Sequence, residues 1–344
     1  MTASPWEPDM PEPLLEIDQV SVEYHRGRRT PPLRAVDNVT LSVAPGETLA
    51  IVGESGSGKS TLGNAVLGLA PVLGGAIRFR GRDITHADHR ERRALSRHIQ
   101  VVFQDPYGSL NPVRTIGQTL AEPFLVHRNL DSAAARAEVT AMLRRVGLPA
   151  DAADRYPAKF SGGQRQRIAI ARALMLSPQL IICDEAVSAL DLSVQAQILN
   201  LLSDLQREFG LSYLFISHDL DVVRHISHRV AVLLHGRLVE QGPTAVVTTD
   251  PTHPYTQALL AAVPVPDPQE QLRRRTRRNL EKRPRPGESS GRSGGCPFSG
   301  RCMHTMEICI TETPPPSNVS SGGMVACHLH AGHVLLETPT QQAV

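Results

Sequence analysis

Apolar and polar residues alternate in short runs between residues 14 and 52, as in LLEIDQVSVEY and AVDNVTLSV, and this two-residue period predicts β-strands. Pro45-Gly46 marks a turn, and the segment Glu47–Val52 behind it reads as a strand buried on both faces. The period then changes. From Ser60 to Leu69 the apolar positions recur every three to four residues, which predicts a helix directly after that strand. An amphipathic helix is expected over 131–148, with Asp131 or Ser132 as N-cap and Gly147 as its stop. Another begins after Ser161 and runs through GGQRQRIAIARALML. Two apolar strands follow, Leu180–Cys183 and Tyr213–Ile216, each ending in polar residues of the kind found at the carboxyl ends of parallel strands. Near residue 263 the pattern gives way to VPVPDP, a basic run and GESSGRSGG, the composition of a linker before a short tail containing cysteines.

Composition narrows the class without naming it. The 344 residues suffice for one large α/β domain with appendages, or for two domains. No apolar run approaches the roughly 18–20 residues that cross a bilayer. The amino terminus, MTASPWEPDMPEP, is acidic and proline-rich and lacks the basic and apolar regions of a secretion signal, so a cytoplasmic location is expected. The net charge of +2 conceals an asymmetry, because residues 273–285 hold eight basic side chains against Glu281 alone. That segment is about +7 and the remainder about −5. A mildly acidic body argues against nucleic acid as the main ligand. The basic run itself reads either as a contact for anionic lipid headgroups or as a solvated linker.

The chemistry is concentrated between the buried strand and the helix after it. Gly53-Glu54-Ser55-Gly56-Ser57-Gly58-Lys59-Ser60 satisfies the pattern G-x-x-x-x-G-K-[ST] at every constrained position. Glycines there let backbone N–H groups turn inward around phosphates, and the helix N-terminus adds its positive dipole. Lys59 is suited to reach the β- and γ-phosphates and the Ser60 hydroxyl to ligate Mg²⁺. The expected nucleotide contacts of this loop are Gly53, Ser55, Gly56, Gly58, Lys59, Ser60 and Thr61. Asp184 and Glu185 close the strand LIIC, where a carboxylate can hold Mg²⁺ through water and its neighbour can polarise an attacking water as general base.

Further residues amount to a family resemblance. Ser161-Gly162-Gly163-Gln164 resembles the signature motif of the ATP-binding-cassette (ABC) ATPases, which contacts the γ-phosphate held by the opposite subunit. Gln104 in VVFQDP resembles the glutamine that senses Mg²⁺ and the attacking water; Ser188-Ala189-Leu190-Asp191 resembles the D-loop; His218 in FISHDL resembles the switch histidine. Tyr24 is the candidate for the aromatic residue that stacks on adenine. The resemblance implies an α/β P-loop NTPase fold of the ABC type, with a RecA-like core, an antiparallel β subdomain and a helical signature subdomain. It implies ATP and Mg²⁺, the latter held by Ser60, Gln104 and Asp184, with catalysis by Glu185, His218, Gln104 and Lys59. The sequence departs from the family where Phe160 stands for the usual Leu and Ala186 for the usual Pro, and neither change removes a group that touches phosphate.

VVFQDPYGSLNPVRTIGQTLAEP (101–123), HPYTQALLAAVPVPDP (253–268) and the cysteine tail are similar to the ATP-binding subunits of bacterial oligopeptide and dipeptide importers. That likeness implies a peripheral protein at the cytoplasmic face of the membrane. Its partners would be two permeases, a second ABC ATPase subunit (a paralogue forming a heterodimer) and an extracytoplasmic solute-binding protein, with no nucleic acid. Related importers move nickel chelates or glutathione. A soluble cassette ATPase of translation or DNA repair is a different class, usually with two cassettes or a coiled-coil insertion, whereas this chain shows one motif set and no heptad-rich insertion. The expected organisation is a flexible 1–13, a nucleotide-binding domain over 14–262 with its helical subdomain at about 105–175, a basic linker 263–294, an extension 295–330 and a tail 331–344. Cys296, Cys302, Cys309 and Cys327 are spaced C-x5-C-x6-C-x17-C, which suits an iron–sulfur cluster, zinc or free thiols. By the resemblance a [4Fe-4S] cluster leads and zinc is the runner-up. Cys183, inside an apolar strand, reads as core.

Overall fold

The computed structural model describes residues 12–25, 27, 31–105, 108–127, 132–262, 294–320 and 322–330. The basic run 273–285 and the expected cap Asp131 lie outside them. The amino-terminal half contains β1 (Leu15–Tyr24), β2 (Leu33–Val43), β3 (Thr48–Val52), α1 (Lys59–Leu67), β4 (Val72–Phe79), β5 (Arg82–Asp83), α2 (His89–Leu95) and β6 (Ile99–Val102). Helices α3 (Ile116–His127), α4 (Ser132–Arg145) and α5 (Gly162–Leu174) follow, then β7 (Leu180–Asp184), α6 (Leu192–Phe209), β8 (Ser212–Ile216), α7 (Leu220–Ile226), β9 (Arg229–Leu234), β10 (Arg237–Pro243), α8 (Thr244–Val247) and α9 (Pro254–Ala262). The tail adds α10 (Glu307–Thr311), β11 (Ser317–Val319) and β12 (Gly323–Val325).

Among the described residues the strands form two sheets. One has the order β2-β1-β4-β5 and is antiparallel throughout; the other has the order β11-β12-β10-β9-β3-β8-β7-β6. Within the second, β3 pairs in parallel with β8 and β9, and β7 pairs in parallel with β8 and β6. Every residue of β3 and β8 is buried. Alternation divides β3 between two cores: Leu49 and Ile51 join the cluster with Leu62 and Val66 of α1, while Ala50 and Val52 join the one with Ile168 of α5 and Leu202 of α6. This is the two-faced burial expected of a parallel sheet covered on both sides.

Local capping fixes where the helices start. Ser161 accepts from the Gln164 backbone N–H at 3.4 Å while the Gln164 side chain accepts from the Ser161 N–H at 3.0 Å, a reciprocal capping box on α5. Asp191 caps α6 by accepting from Val194 N–H at 3.0 Å. Helix α4 ends at Arg145, and Gly147 follows with φ 75°, the stop expected from the sequence.

The tail is sewn into the core sheet. Strand β12 pairs antiparallel with β10 through Glu240↔Val325 and Gln241↔Met324, and β11 pairs with β12. The architecture is thus the expected P-loop α/β core with an antiparallel β subdomain and a helical segment between β6 and β7. No described helix is long and apolar enough to cross a membrane.

Candidate active site

Parallel register brings three chemical loops to one edge of the sheet. Ile51 of β3 lies opposite Ile216 of β8, and Ile216 lies opposite Asp184 of β7. The phosphate loop, Glu185 and His218 therefore leave the sheet side by side, at the carboxyl ends where α/β proteins bind ligands.

The loop between β3 and α1 needs its glycines. Gly56 has φ 77° and Gly58 φ 102°. A Cβ at Gly58 would lie 2.3 Å from the Ala35 carbonyl oxygen, and one at Gly53 would lie 2.2 Å from that of Leu233. Backbone atoms cannot yield as a flexible side chain does. Gly58→Ala is therefore expected to weaken ATP binding about tenfold or more, the scale set by about 1–3 kcal/mol of backbone strain. Titration with a fluorescent ATP analogue checks this.

Lys59 is buried and its Nζ donates to the carbonyls of Gly53 and Glu54, each at 2.9 Å. Two of its three N–H groups are so fixed, and one remains for a phosphate oxygen. Burial lowers the Lys59 pKa, against the opposing charges of Glu185 and Asp184. The buried Ser57 hydroxyl has no partner among the described residues, as expected of a loop shaped for an oxygen-rich ligand.

Ser60 Oγ donates to Asp184 Oδ1 at 2.8 Å across 124 positions of sequence. Burial pushes the Asp184 carboxyl up; the Ser60 hydrogen bond opposes this, the Glu185 charge adds to it and Lys59 opposes it. One carboxylate and one hydroxyl beside a phosphate cradle are the hard oxygen donors that Mg²⁺ uses with a nucleotide.

Glu185 stands between two partners. Gln104 Nε2 donates to Glu185 Oε2 at 3.0 Å and to Ser188 Oγ at 3.2 Å, and His218 Nδ1 is 3.4 Å from Glu185 Oε1. Glu185 has φ 49°, a left-handed conformation uncommon outside glycine, and its N–H donates to the Ile216 carbonyl at 3.0 Å. Backbone strain of this kind clusters at functional sites. Ala186 behind it is buried, and so is Phe160.

The remaining sequence candidates have other surroundings. Tyr24 ends β1, half-buried against the core cluster that contains Leu62 and Val66. Ser161 and Gln164 are exposed, and no hydrogen bond among the described residues joins Ser161–Gln164 to the phosphate loop. Gly163 abuts α6, where a Cβ would meet Val194 Cγ1 at 2.4 Å, and Asp191 is engaged as a helix cap. Sequence reasoning missed Gln195, whose Nε2 donates to the carbonyls of Val187 at 3.0 Å and Leu190 at 3.1 Å and so braces Ser188–Asp191. A glutamine in the first turn of a helix gives no signal of that.

All four tail cysteines line one small cavity, together with His253, Phe298, His304 and His328. Burial raises the Cys296 thiol and pushes that of Cys327 up to about 11. Among the described residues no group of three His, Cys, Asp or Glu side chains has the geometry of a metal-ion site. Cys183 is a core residue whose thiol burial pushes up to about 12.

The sequence profile of the ABC transporter family matches residues 36–188, across the phosphate loop and Glu185. A putative peptide import ATP-binding protein of Brucella abortus is 46% identical over 330 residues, 94% of this chain and 96% of that protein. The chain belongs to the ABC transporter family. As an ABC cassette it is an ATPase whose hydrolysis is coupled to transport. A second profile, the carboxy-terminal region of oligopeptide/dipeptide transporters, matches residues 239–309. The glutathione import ATP-binding protein GsiA of Escherichia coli is 56% identical over 265 residues, 76% of this chain but 42% of that protein. Among solved structures, the dimeric post-hydrolysis ATP-binding cassette MJ0796 bound to ADP and Pi superposes with a TM-score of 0.61 at 29% identity, covering 67% of this chain and 98% of that one.

Proposed function

We propose that this chain is the ATP-hydrolysing subunit that powers import of di- or oligopeptides. One observation carries the reading: likeness to peptide import ATP-binding proteins extends over 94% of the chain and through the carboxy-terminal region. Glutathione import is the second reading, favoured by the 56% identity to GsiA over 265 residues. Two permeases, a paralogous second cassette and an extracytoplasmic binding protein complete the assembly, and the chain is peripheral at the cytoplasmic face of the membrane. The nucleotide-binding domain spans 14–262 with its helical subdomain at about 105–175, and 295–330 is the extension.

We assign the residue roles by combining this geometry with the family resemblance. Gly53, Ser55, Gly56, Gly58, Lys59, Ser60 and Thr61 cradle the triphosphate, with Lys59 on the β- and γ-phosphates and Tyr24 on adenine. Ser60, Asp184 and Gln104 hold Mg²⁺, which when bound would neutralise phosphate charge. Glu185 orients and deprotonates the attacking water, steadied by Gln104, and His218 supports the γ-phosphate. Ser161 and Gln164 are exposed and make no hydrogen bond to their own phosphate loop among the described residues, so Ser161, Gly162, Gly163 and Gln164 fit the nucleotide of a second cassette, with Asp191 at the same contact. ATP then glues two subunits together, and loss of the γ-phosphate releases them. Closure pushes on the permeases through the surface after Gln104, within residues 105–114.

For the cysteine cavity we propose a [4Fe-4S] cluster rather than zinc. Four thiols lining one cavity are the ligand type and number that such a cluster uses. Iron and sulfide content of protein purified without oxygen checks it.

The test of the import reading is native co-purification of tagged Glu185→Gln protein from solubilised membranes with ATP, with partners identified by mass spectrometry. Permeases and a solute-binding protein are the expected result, and the ligand of that binding protein separates peptide from glutathione. Ribosomal or DNA-repair proteins without membrane subunits would overturn it.

A further inference from the structure

The phosphate loop is gripped from outside by the carboxy-terminal region. Arg301 Nη1 donates to Glu54 Oε1 at 2.7 Å and Nη2 to Glu54 Oε2 at 3.1 Å. The Glu54 N–H donates to the Tyr255 hydroxyl at 3.0 Å. The same guanidinium lies over the rings of Tyr255 and Phe298, 5.8 and 5.2 Å from their centroids. A two-pronged, ring-stacked arginine is the strong form of a carboxylate pair. Both partners are about half exposed, which keeps the effect modest.

Each end of this grip is anchored. Arg301 belongs to the turn in which the N–H groups of Arg301 and Cys302 both donate to the Phe298 carbonyl, and Phe298 and Cys302 line the cysteine cavity. On the other side the Tyr255 N–H donates to His253 Nδ1 at 2.9 Å, and Thr252 and His253 N–H donate to the Glu240 carboxylate on β10. Glu54 is where the cavity region meets the nucleotide loop. The Glu54 carbonyl receives both Lys59 Nζ and the Ser57 N–H, so a shift of Glu54 displaces the ammonium. Unpaired, the Glu54 carboxylate would also stand uncompensated beside a triphosphate.

We propose that Arg301 is a positioning residue for nucleotide binding, neutralising and anchoring Glu54 so that the carboxy-terminal cysteine region sets the ATP affinity of the phosphate loop. The inference rests on the proposed binding of ATP at Lys59 and Ser60 of the phosphate loop. The experiment is a mutant cycle on the full chain: wild type, Arg301→Ala, Glu54→Gln and the double variant, each titrated with a fluorescent ATP analogue and assayed for KM and kcat. Arg301→Ala is expected to weaken binding about 3–10-fold and raise KM, with kcat changed less than about twofold. Glu54→Gln binds at least as tightly as wild type, and adding Arg301→Ala to it changes affinity by less than about twofold. Arg301→Lys recovers part of the loss, since it keeps the charge and loses the second prong. Should Arg301→Ala fail to fold, Arg301→Gln, which keeps the stem over the rings, takes its place in the cycle. An equal loss from removing Arg301 in both backgrounds would mean packing alone, and unchanged affinity would mean no role; either overturns the proposal. Failure of the wild-type chain to bind the analogue would instead overturn the nucleotide-binding reading, and the grip with it.

Discussion

Glu185→Gln is expected to keep ATP affinity near wild type while lowering turnover about 10²–10⁴-fold, the range for removal of a general base. The substitution is nearly isosteric, so the hydrogen bond from Gln104 Nε2, at 3.0 Å in the native site, still has an oxygen to meet. What disappears is the capacity to take a proton. Binding is spared because no contact of the phosphate cradle runs through this side chain: Lys59 is held by the carbonyls of Gly53 and Glu54, and Ser60 by Asp184. Steady-state phosphate release gives the first quantity and analogue titration the second. Hydrolysis at the wild-type rate would remove Glu185 from the base position and direct attention to His218, 3.4 Å away. Loss of binding together with turnover would mean that the left-handed backbone at Glu185 tolerates only the native side chain.

Much of this site is readable from the sequence because its parts are local. The all-buried β3, the glycine loop and α1 form one contiguous strand–loop–helix stretch, and the required conformations are written in glycine itself. Asp184 and Glu185 are legible for the same reason, as the polar end of an apolar strand. The pairing of Gln104 with Glu185 spans 81 positions, and only the family resemblance brought those residues into one site before the fold did. Two features had no sequence signal. Strands β11 and β12 are three residues each and join the core sheet through β10, where no hydrophobic run announces them. The Arg301–Glu54 pair closes over 247 positions, and neither residue type nor spacing hints at it. Irregular pairing also hides from periodicity: in β1 and β2 the register shifts around Gln19 and Asn38, which have φ 50° and 54°. The cysteines were legible as a set of ligand types, but their convergence on one cavity follows from the hairpin that returns Cys327 to Cys296.

Lys59→Ala should remove nucleotide binding, weakening ATP affinity by about 10²–10³-fold, the scale of truncating one partner of a buried, hydrogen-bonded charge pair. Two effects act together. The ammonium that faces the phosphates is lost, and with it the only bonds described here that tie the side chain of the helix start back to Gly53 and Glu54. Asp184 also loses the cation that counters its burial and its repulsion from Glu185, so its carboxyl, already pushed up, rises further and is a weaker Mg²⁺ ligand. The sign of the second effect is testable: raising the pH restores the Asp184 carboxylate, and added Mg²⁺ then recovers some affinity in the variant, while the phosphate contact stays lost. Titrations with the ATP analogue at several pH values and Mg²⁺ concentrations separate the two. Affinity in Lys59→Ala that is indifferent to both would leave the direct phosphate contact as the whole effect, and affinity equal to wild type would take Lys59 out of the cradle.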